Sequence, residues 1–215
     1  MSSFSIQTYQ NDLPICVLQW CSEVAKEMLE PSFFCSGDWL ASAARFERDI
    51  HVITVTEQGS GDLIAVLPLT RKRNLFGGTD VKILGSRFHP DPIGLICKKE
   101  RLEDAATIIR HHFESDVRWD SLTIDWTTAE ECRAWGVEGE KTTVAPYLPI
   151  DSGFSEVLDR FRKKKRYNLK ASVKKLLEAK GATVTQSLTA DQKQDCFREF
   201  FRLHQMRAAE RGIES

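Results

Sequence analysis

The sequence predicts a mixed α/β fold, and three observations carry that expectation. Short β-branched runs alternate with longer stretches whose apolar residues recur every three or four positions. Two of the β runs, 51–56 and 63–69, are joined by Gly59-Ser-Gly-Asp62, which reads as a hairpin turn. The 215 residues are 41% hydrophobic and 28% charged with a formal charge of −1, a globular composition that excludes disordered, collagenous and membrane classes. No window approaches the ~18 uninterrupted apolar residues of a membrane span. The start, Met1-Ser-Ser-Phe-Ser-Ile-Gln7, lacks a basic region followed by an apolar run, so no secretory leader and a cytoplasmic location are expected.

Ser5–Tyr9 alternates as a short strand. Asp12 is expected to cap a helix with the stripe Leu13, Cys16, Val17, Trp20, Val24 and Met28, stopped by Pro31. A second helix is expected near Ser36, with Trp39, Leu40, Ala43 and Phe46 inward. After the hairpin, Gly77-Gly78 marks a turn before a strand at Val81–Leu84, and a loop over Gly85–Pro92 leads to another at Ile93–Cys97. Glu100–Phe113 reads as a helix with Leu102, Ala105, Ala106, Ile109 and Phe113 on one stripe. Ser121–Asp125 reads as a strand and Thr128–Trp135 as a short helix. Thr142–Ile150 reads as a strand that Pro146 and Pro149 restrict to an edge.

The character changes after Ile150. Phe154 opens a helical run expected to continue to about Lys180, where Gly181 stops it. Ala182–Gln186 reads as a strand, and Thr189-Ala-Asp191 caps a last helix with Phe197, Phe200, Phe201, His204 and Ala208 on one stripe. Helix, strand and helix cannot enclose a core alone, so residues 1–150 are expected to form one domain and 151–215 the incomplete start of a second. The phenylalanine stripe then awaits a cover, and association through this exposed C-terminal helix is expected. Between Arg160 and Lys175 lie nine basic residues and no acidic one, while the other 199 residues carry 21 basic and 31 acidic groups.

No two of the six cysteines form Cys-x-x-Cys, and buried reduced thiols are expected. Adjacent His111 and His112 diverge by about 100° on a helix and cannot share a metal. His89-Pro-Asp91 suits an Asx turn better than a general base, and His204 reads as a packed histidine. Hydrolase-elbow, P-loop and zinc-protease motifs are absent from the sequence.

The run Phe154–Lys170, with Lys163-Lys-Lys-Arg-Tyr-Asn-Leu-Lys170, resembles the "Lys-Lys-x-Arg-x-Asn-Leu-Arg" helix of CelD/BcsL-type acetyltransferase-like proteins, of the FemAB-like branch of the GNAT superfamily. Phe34–Leu40, Leu63–Leu69, Ile83-Leu-Gly85, Asp91-Pro-Ile-Gly94 and Leu203-His-Gln-Met-Arg207 followed by Glu210-Arg-Gly212 resemble the same family. The predicted element order also matches the GNAT fold. The resemblance implies a GNAT-like N-terminal domain, degenerate at its donor loop, and a second one begun but not completed. It implies transfer of an acyl group from acetyl-CoA or another acyl-CoA to an amine or hydroxyl acceptor, in cell-envelope or polysaccharide metabolism, with no tightly bound cofactor. The alternative is a non-catalytic scaffold whose basic helix binds an anionic partner.

At the donor junction Cys97-Lys-Lys-Glu-Arg-Leu102 there is no glycine; Lys98, Lys99 and Arg101 can meet an anion through side chains, opposed by Glu100. On the basic helix, Lys163, Arg166, Lys170 and Lys174 share one face with Tyr167, with Leu158, Phe161, Leu169, Val173 and Leu176 expected opposite and Asn168 turned inward. Three readings stay open for that face: a solvated surface on a packed helix, a site for a phosphate-bearing donor such as CoA, or a non-specific surface for nucleic acid or membrane. Nucleic acid is the less favoured partner. Catalytic residues are not assignable from the sequence.

Overall fold

A computed structural model describes residues 3–88, 93–115, 119–125, 127–139, 153–183 and 189–212. The chain divides into two compact units, Met1–Thr142 and Thr143–Ser215. In the first, β1 (Phe4–Gln10), β2 (Ile50–Glu57), β3 (Leu63–Arg73), β4 (Thr79–Ile83), β5 (Ile96–Cys97) and β6 (Ser121–Thr123) form one six-stranded sheet. Its order is β1-β2-β3-β4-β6, with β5 pairing β3. Strands β1 to β4 pair antiparallel; β6 runs parallel to β4.

Side chains alternate across a strand, and the alternation sorts the core into two layers. Ile53, Val55, Leu67, Leu69, Val81 and Ile83 face the stripe of α3 (Leu102–Ser115). Ile50, Val52, Val66 and Leu84 face α1 (Ile15–Val24) and α2 (Gly37–Ala44). The result is a three-layer α/β/α sandwich. Central β3 is covered on both sides, which is why Leu63–Leu69 reads as an unbroken apolar run. Pro68 sits within it because its carbonyl accepts from Leu84 N–H at 2.9 Å, so the N–H it lacks faces the β4/β5 side. The ladder there is already interrupted, between the pairs Leu69–Ile83 and Val66–Ile96.

The mixed α/β class is the one the sequence predicts, and the elements of the first unit follow in the expected order strand–helix–helix–strands–helix–strand–helix. Ser36 caps α2 by accepting from Trp39 N–H, and the α3 stripe is buried as expected. Gly37 is required by a close approach: a Cβ there would overlap the Leu18 carbonyl of α1, and its N–H donates to Ser22 Oγ at 3.0 Å.

Several expectations fail for local reasons. Asp12 does not cap α1; Pro14 holds the N-cap position, and a proline disfavours helix at the residue before it. The helix ends at Val24, so Met28 lies beyond it though still packed against the same core, and Cys16, within the helix, is exposed. Phe46 lies past the end of α2, where the helical period no longer aims it, and is 62% exposed beside Phe88. Strands β5 and β6 are shorter than expected. The expected strand 142–150 lies outside the described residues, as do His89 and Asp91; residues 182–183 carry no strand, and the rest of the expected 182–186 strand lies outside them.

In the second unit the expected long helix is broken. It consists of α5 (Phe154–Asp159), a non-helical Arg160–Arg162, α6 (Lys163–Lys174) and a π-helical turn, Lys175–Ala179. Six cations between Arg160 and Arg166 would put like charges at i,i+3 and i,i+4 spacing along a continuous helix, where they repel. The break also brings Asp159 to Arg166, 2.7 Å away. The last helix, α7 (Ala190–Glu210), is capped by Thr189 in a capping box with Gln192 rather than Asp191. Its Phe197, Phe200 and Phe201 are 63, 58 and 57% exposed, and His204 is exposed too, not packed.

Candidate functional site

Among the described residues, the hydrogen-bonded ladder beside β3 has a gap. Residues 79–97 follow β3 in two pieces: β4 pairs Leu69–Arg73 and β5 pairs Ala65–Val66. Strand β6 pairs only the first piece, through Asp80–Lys82 and Ser121–Thr123. Beyond Thr123, among the described residues, no ladder joins Ile124–Asp125 to the second piece. Gly94 is buried beside this gap in the ladder: a Cβ there would lie in van der Waals contact with Ile124 Cγ2 at 3.7 Å and with Glu131 Oε1 at 4.0 Å.

Glu131 comes from α4 (Ala129–Ala134). Thr128 N–H donates to its Oε2 at 2.7 Å and Glu131 N–H donates to Thr128 Oγ1 at 3.1 Å, a capping box that fixes the carboxylate. Burial raises its pKa; the Thr128 hydrogen bonds offset part of that, and the charges of Glu30 and Glu130 add to it. The surrounding thiols feel the same field. Burial pushes Cys35 to about 11 despite a backbone hydrogen bond from Gly94, and Cys97 to about 12, with Glu131 raising both further. Cys21, buried beside Cys35, is pushed to about 12. All three of these buried thiols are therefore held protonated, and Cys35 and Cys97 are inert neighbours of the Glu131 carboxylate. Cys132 is buried as expected, but Cys16 and Cys196 are exposed, against the expectation of buried thiols.

Two of the three cations at the junction before α3, Lys98 and Arg101, are engaged within the chain, and Lys99 is exposed. Lys98 Nζ lies 2.6 Å from Glu27, which raises its pKa, and Arg101 lies 3.9 Å from both Glu57 and Asp104. The first turn of α3 holds Glu103 and Asp104.

Lys163, Arg166, Lys170 and Lys174 are brought onto one side of α6, and only Arg166 is partly covered. Arg166 pairs with Asp159, and Lys174 lies 3.8 Å from Glu178. The apolar face expected opposite them is not built. Leu158, turned back by the break at 160–162, lines a groove with Lys170, Val173, Lys174 and Leu177, on the cationic side. Leu176 is 52% exposed, and Asn168 faces solvent rather than the interior.

Sequence reasoning missed Glu131. The Thr128-x-x-Glu131 pattern signals a capped helix start, but the carboxylate's burial depends on strands pairing far away in the chain. His111 meets Glu114 at 3.1 Å and His112 turns toward the sheet, so the two diverge as expected. Among the described residues, no group of three or more His, Cys, Asp or Glu is placed to hold a metal, and no helix is long and apolar enough to cross a membrane.

No protein-family model matches the sequence, and no curated protein matches it. Solved structures do. An aminoglycoside acetyltransferase from an uncultured soil metagenomic sample matches 69% of this chain over 99% of its own, at 13% identity and a TM-score of 0.45. A possible acetyltransferase from Clostridium difficile 630 matches 68% over 98%, at 12% identity and a TM-score of 0.42. A GNAT family acetyltransferase from Staphylococcus aureus matches 69% over 100%, at 10% identity and a TM-score of 0.39. The chemistry of this chain rests on its own residues.

Proposed function

We propose that the protein is an acyltransferase of GNAT type, taking an acyl group from acyl-CoA to an amine or hydroxyl acceptor. A fold hosts many chemistries, so the reading is carried by one local observation: a capped, half-buried carboxylate with a raised pKa lies beside Gly94, at the gap in the ladder. Such a group can take the proton that an acceptor loses as it attacks a thioester. The element order and the family resemblance of the sequence supply acyl-CoA as donor, and the CelD/BcsL-type likeness supplies a cell-envelope or polysaccharide setting. The test is release of free CoA thiol from acetyl-CoA by the full chain with a panel of amine and hydroxyl acceptors, beside calorimetry with acetyl-CoA. Glu131→Gln keeps the cap and is expected to lower turnover about 100-fold or more. Absence of both CoA release and acetyl-CoA binding would sink the reading.

The cationic face of α6 is a separate proposal: Lys163, Arg166, Lys170 and Lys174 bind a phosphate-bearing anion. Support comes from four cations on one side, two of which hold only exposed carboxylates. Exposed pairs are worth about 0–1 kcal/mol, so a multivalent anion displaces them readily. Replacing Lys163 and Lys170 with Ala is expected to weaken pyrophosphate binding and flatten its salt dependence. An unchanged salt response removes this site.

A further inference from the structure

A second polar cluster lies on the α3 side of the sheet, apart from the gap at Gly94. A cavity of about 40 Å³ is lined by Thr8 of β1, His51 of β2, Arg71 of β3, and His112, Phe113 and Trp119 at the end of α3 and beyond. One water needs about 10–15 Å³ of such space, so the cavity has room for roughly three waters or one small polyatomic group. Arg71 Nε is buried and has no hydrogen-bond acceptor among the described residues. Its carboxylate neighbour, Asp49 Oδ2, stands 4.0 Å off, too far for a hydrogen bond. Asp49 is occupied elsewhere: its Oδ1 accepts from His51 Nε2 at 2.8 Å. That bond puts the proton on Nε2, so Arg71 Nη1, 3.4 Å from the same nitrogen, gains no acceptor there either.

A buried guanidinium donor without an acceptor is costly, and the geometry that relieves it best is a planar, two-oxygen anion. We propose that this cavity binds a small monocarboxylate of acetate size. The carboxylate meets Arg71, His51 and His112 supply further polar edges, and the short alkyl end lies against Phe113 and Trp119. Among the described residues, Asp49 is the acidic group beside Arg71, and its His51 hydrogen bond and 43% exposure keep it from opposing the ligand directly. The proposal does not depend on acyl transfer at the gap in the ladder.

The test titrates the full chain with sodium acetate against sodium chloride at constant ionic strength. It follows the ring C–H resonances of His51 and His112 and the indole N–H of Trp119, which donates to Phe113 O. Saturable shifts with acetate and none with chloride are expected. Arg71→Gln is expected to weaken acetate at least about tenfold. Arg71→Lys, which keeps the charge but loses the fork, is expected to weaken it several-fold and decides the matter if the Gln variant does not fold. Equal responses to both salts, no saturation with acetate because the cavity holds water only, or unchanged affinity in a folded Arg71 variant would each overturn the proposal.

Discussion

Glu131 combines two roles that one pair of substitutions separates. Its carboxylate holds the Thr128 N–H at 2.7 Å, and its burial raises its pKa. Glu131→Ala removes the acceptor and leaves a half-buried N–H unpaired, a loss of about 1–2 kcal/mol by analogy with other caps. For a chain of this size, that is about 2–4 °C of melting temperature per kcal/mol. Glu131→Gln keeps an acceptor oxygen in the same place, since Gln serves in a capping box as Glu does. The charge then decides the pH dependence. A raised carboxyl pKa means that the folded chain binds the proton more tightly than the unfolded one. Wild-type stability from this group is therefore present at acid pH and is lost as pH rises from the ordinary carboxylate pKa through the raised one. The Gln variant lacks that loss, so its stability relative to wild type improves from acid to neutral pH. Urea unfolding of wild type, Gln and Ala across that range is the assay. A Gln variant as damaged as Ala, or a Gln-to-wild-type difference that ignores pH, would refute the placement of this carboxylate.

Gly37→Ala forces a methyl group into the Leu18 carbonyl and must separate α1 from α2; an overpacking cost of about 1–3 kcal/mol is expected in denaturant unfolding. Wild-type stability in that variant would mean the two helices do not touch there. Among the thiols, exposed Cys16 and Cys196 are expected to react with a disulfide reagent at mildly alkaline pH, while Cys21, Cys35 and Cys97 react only on unfolding. Fast labelling of any of those three, read by peptide mass, contradicts their burial.

What was legible in the sequence was local. The β2–β3 hairpin, the Ser36 cap and the α3 stripe each follow from residues within a turn or two of one another, and each is found. The helix break at 160–162 was hidden because periodicity counts apolar positions, whereas crowded cations and the Asp159–Arg166 pairing act along the backbone. Pro14 overrode Asp12 through a restriction on the preceding residue that a search for capping side chains does not see. The gap at Gly94 and the Arg71 cavity could not be read at all. Each depends on strand register, which places residues such as Thr8, His51, Arg71 and His112 together from four separate elements.

Among the described residues the sheet ends at β1, and none of its seven residues, Phe4-Ser-Ile-Gln-Thr-Tyr-Gln10, is charged. Natural sheets commonly guard such borders with lysine, proline or a bulge against the addition of a foreign strand. This border, no shorter than an ordinary strand, is guarded by its uncharged polar Ser5, Gln7, Thr8 and Gln10 alone. In concentrated solution it is the natural seam for self-templated stacking, and a lysine at Gln7, whose side chain is exposed, would keep the chain dispersed.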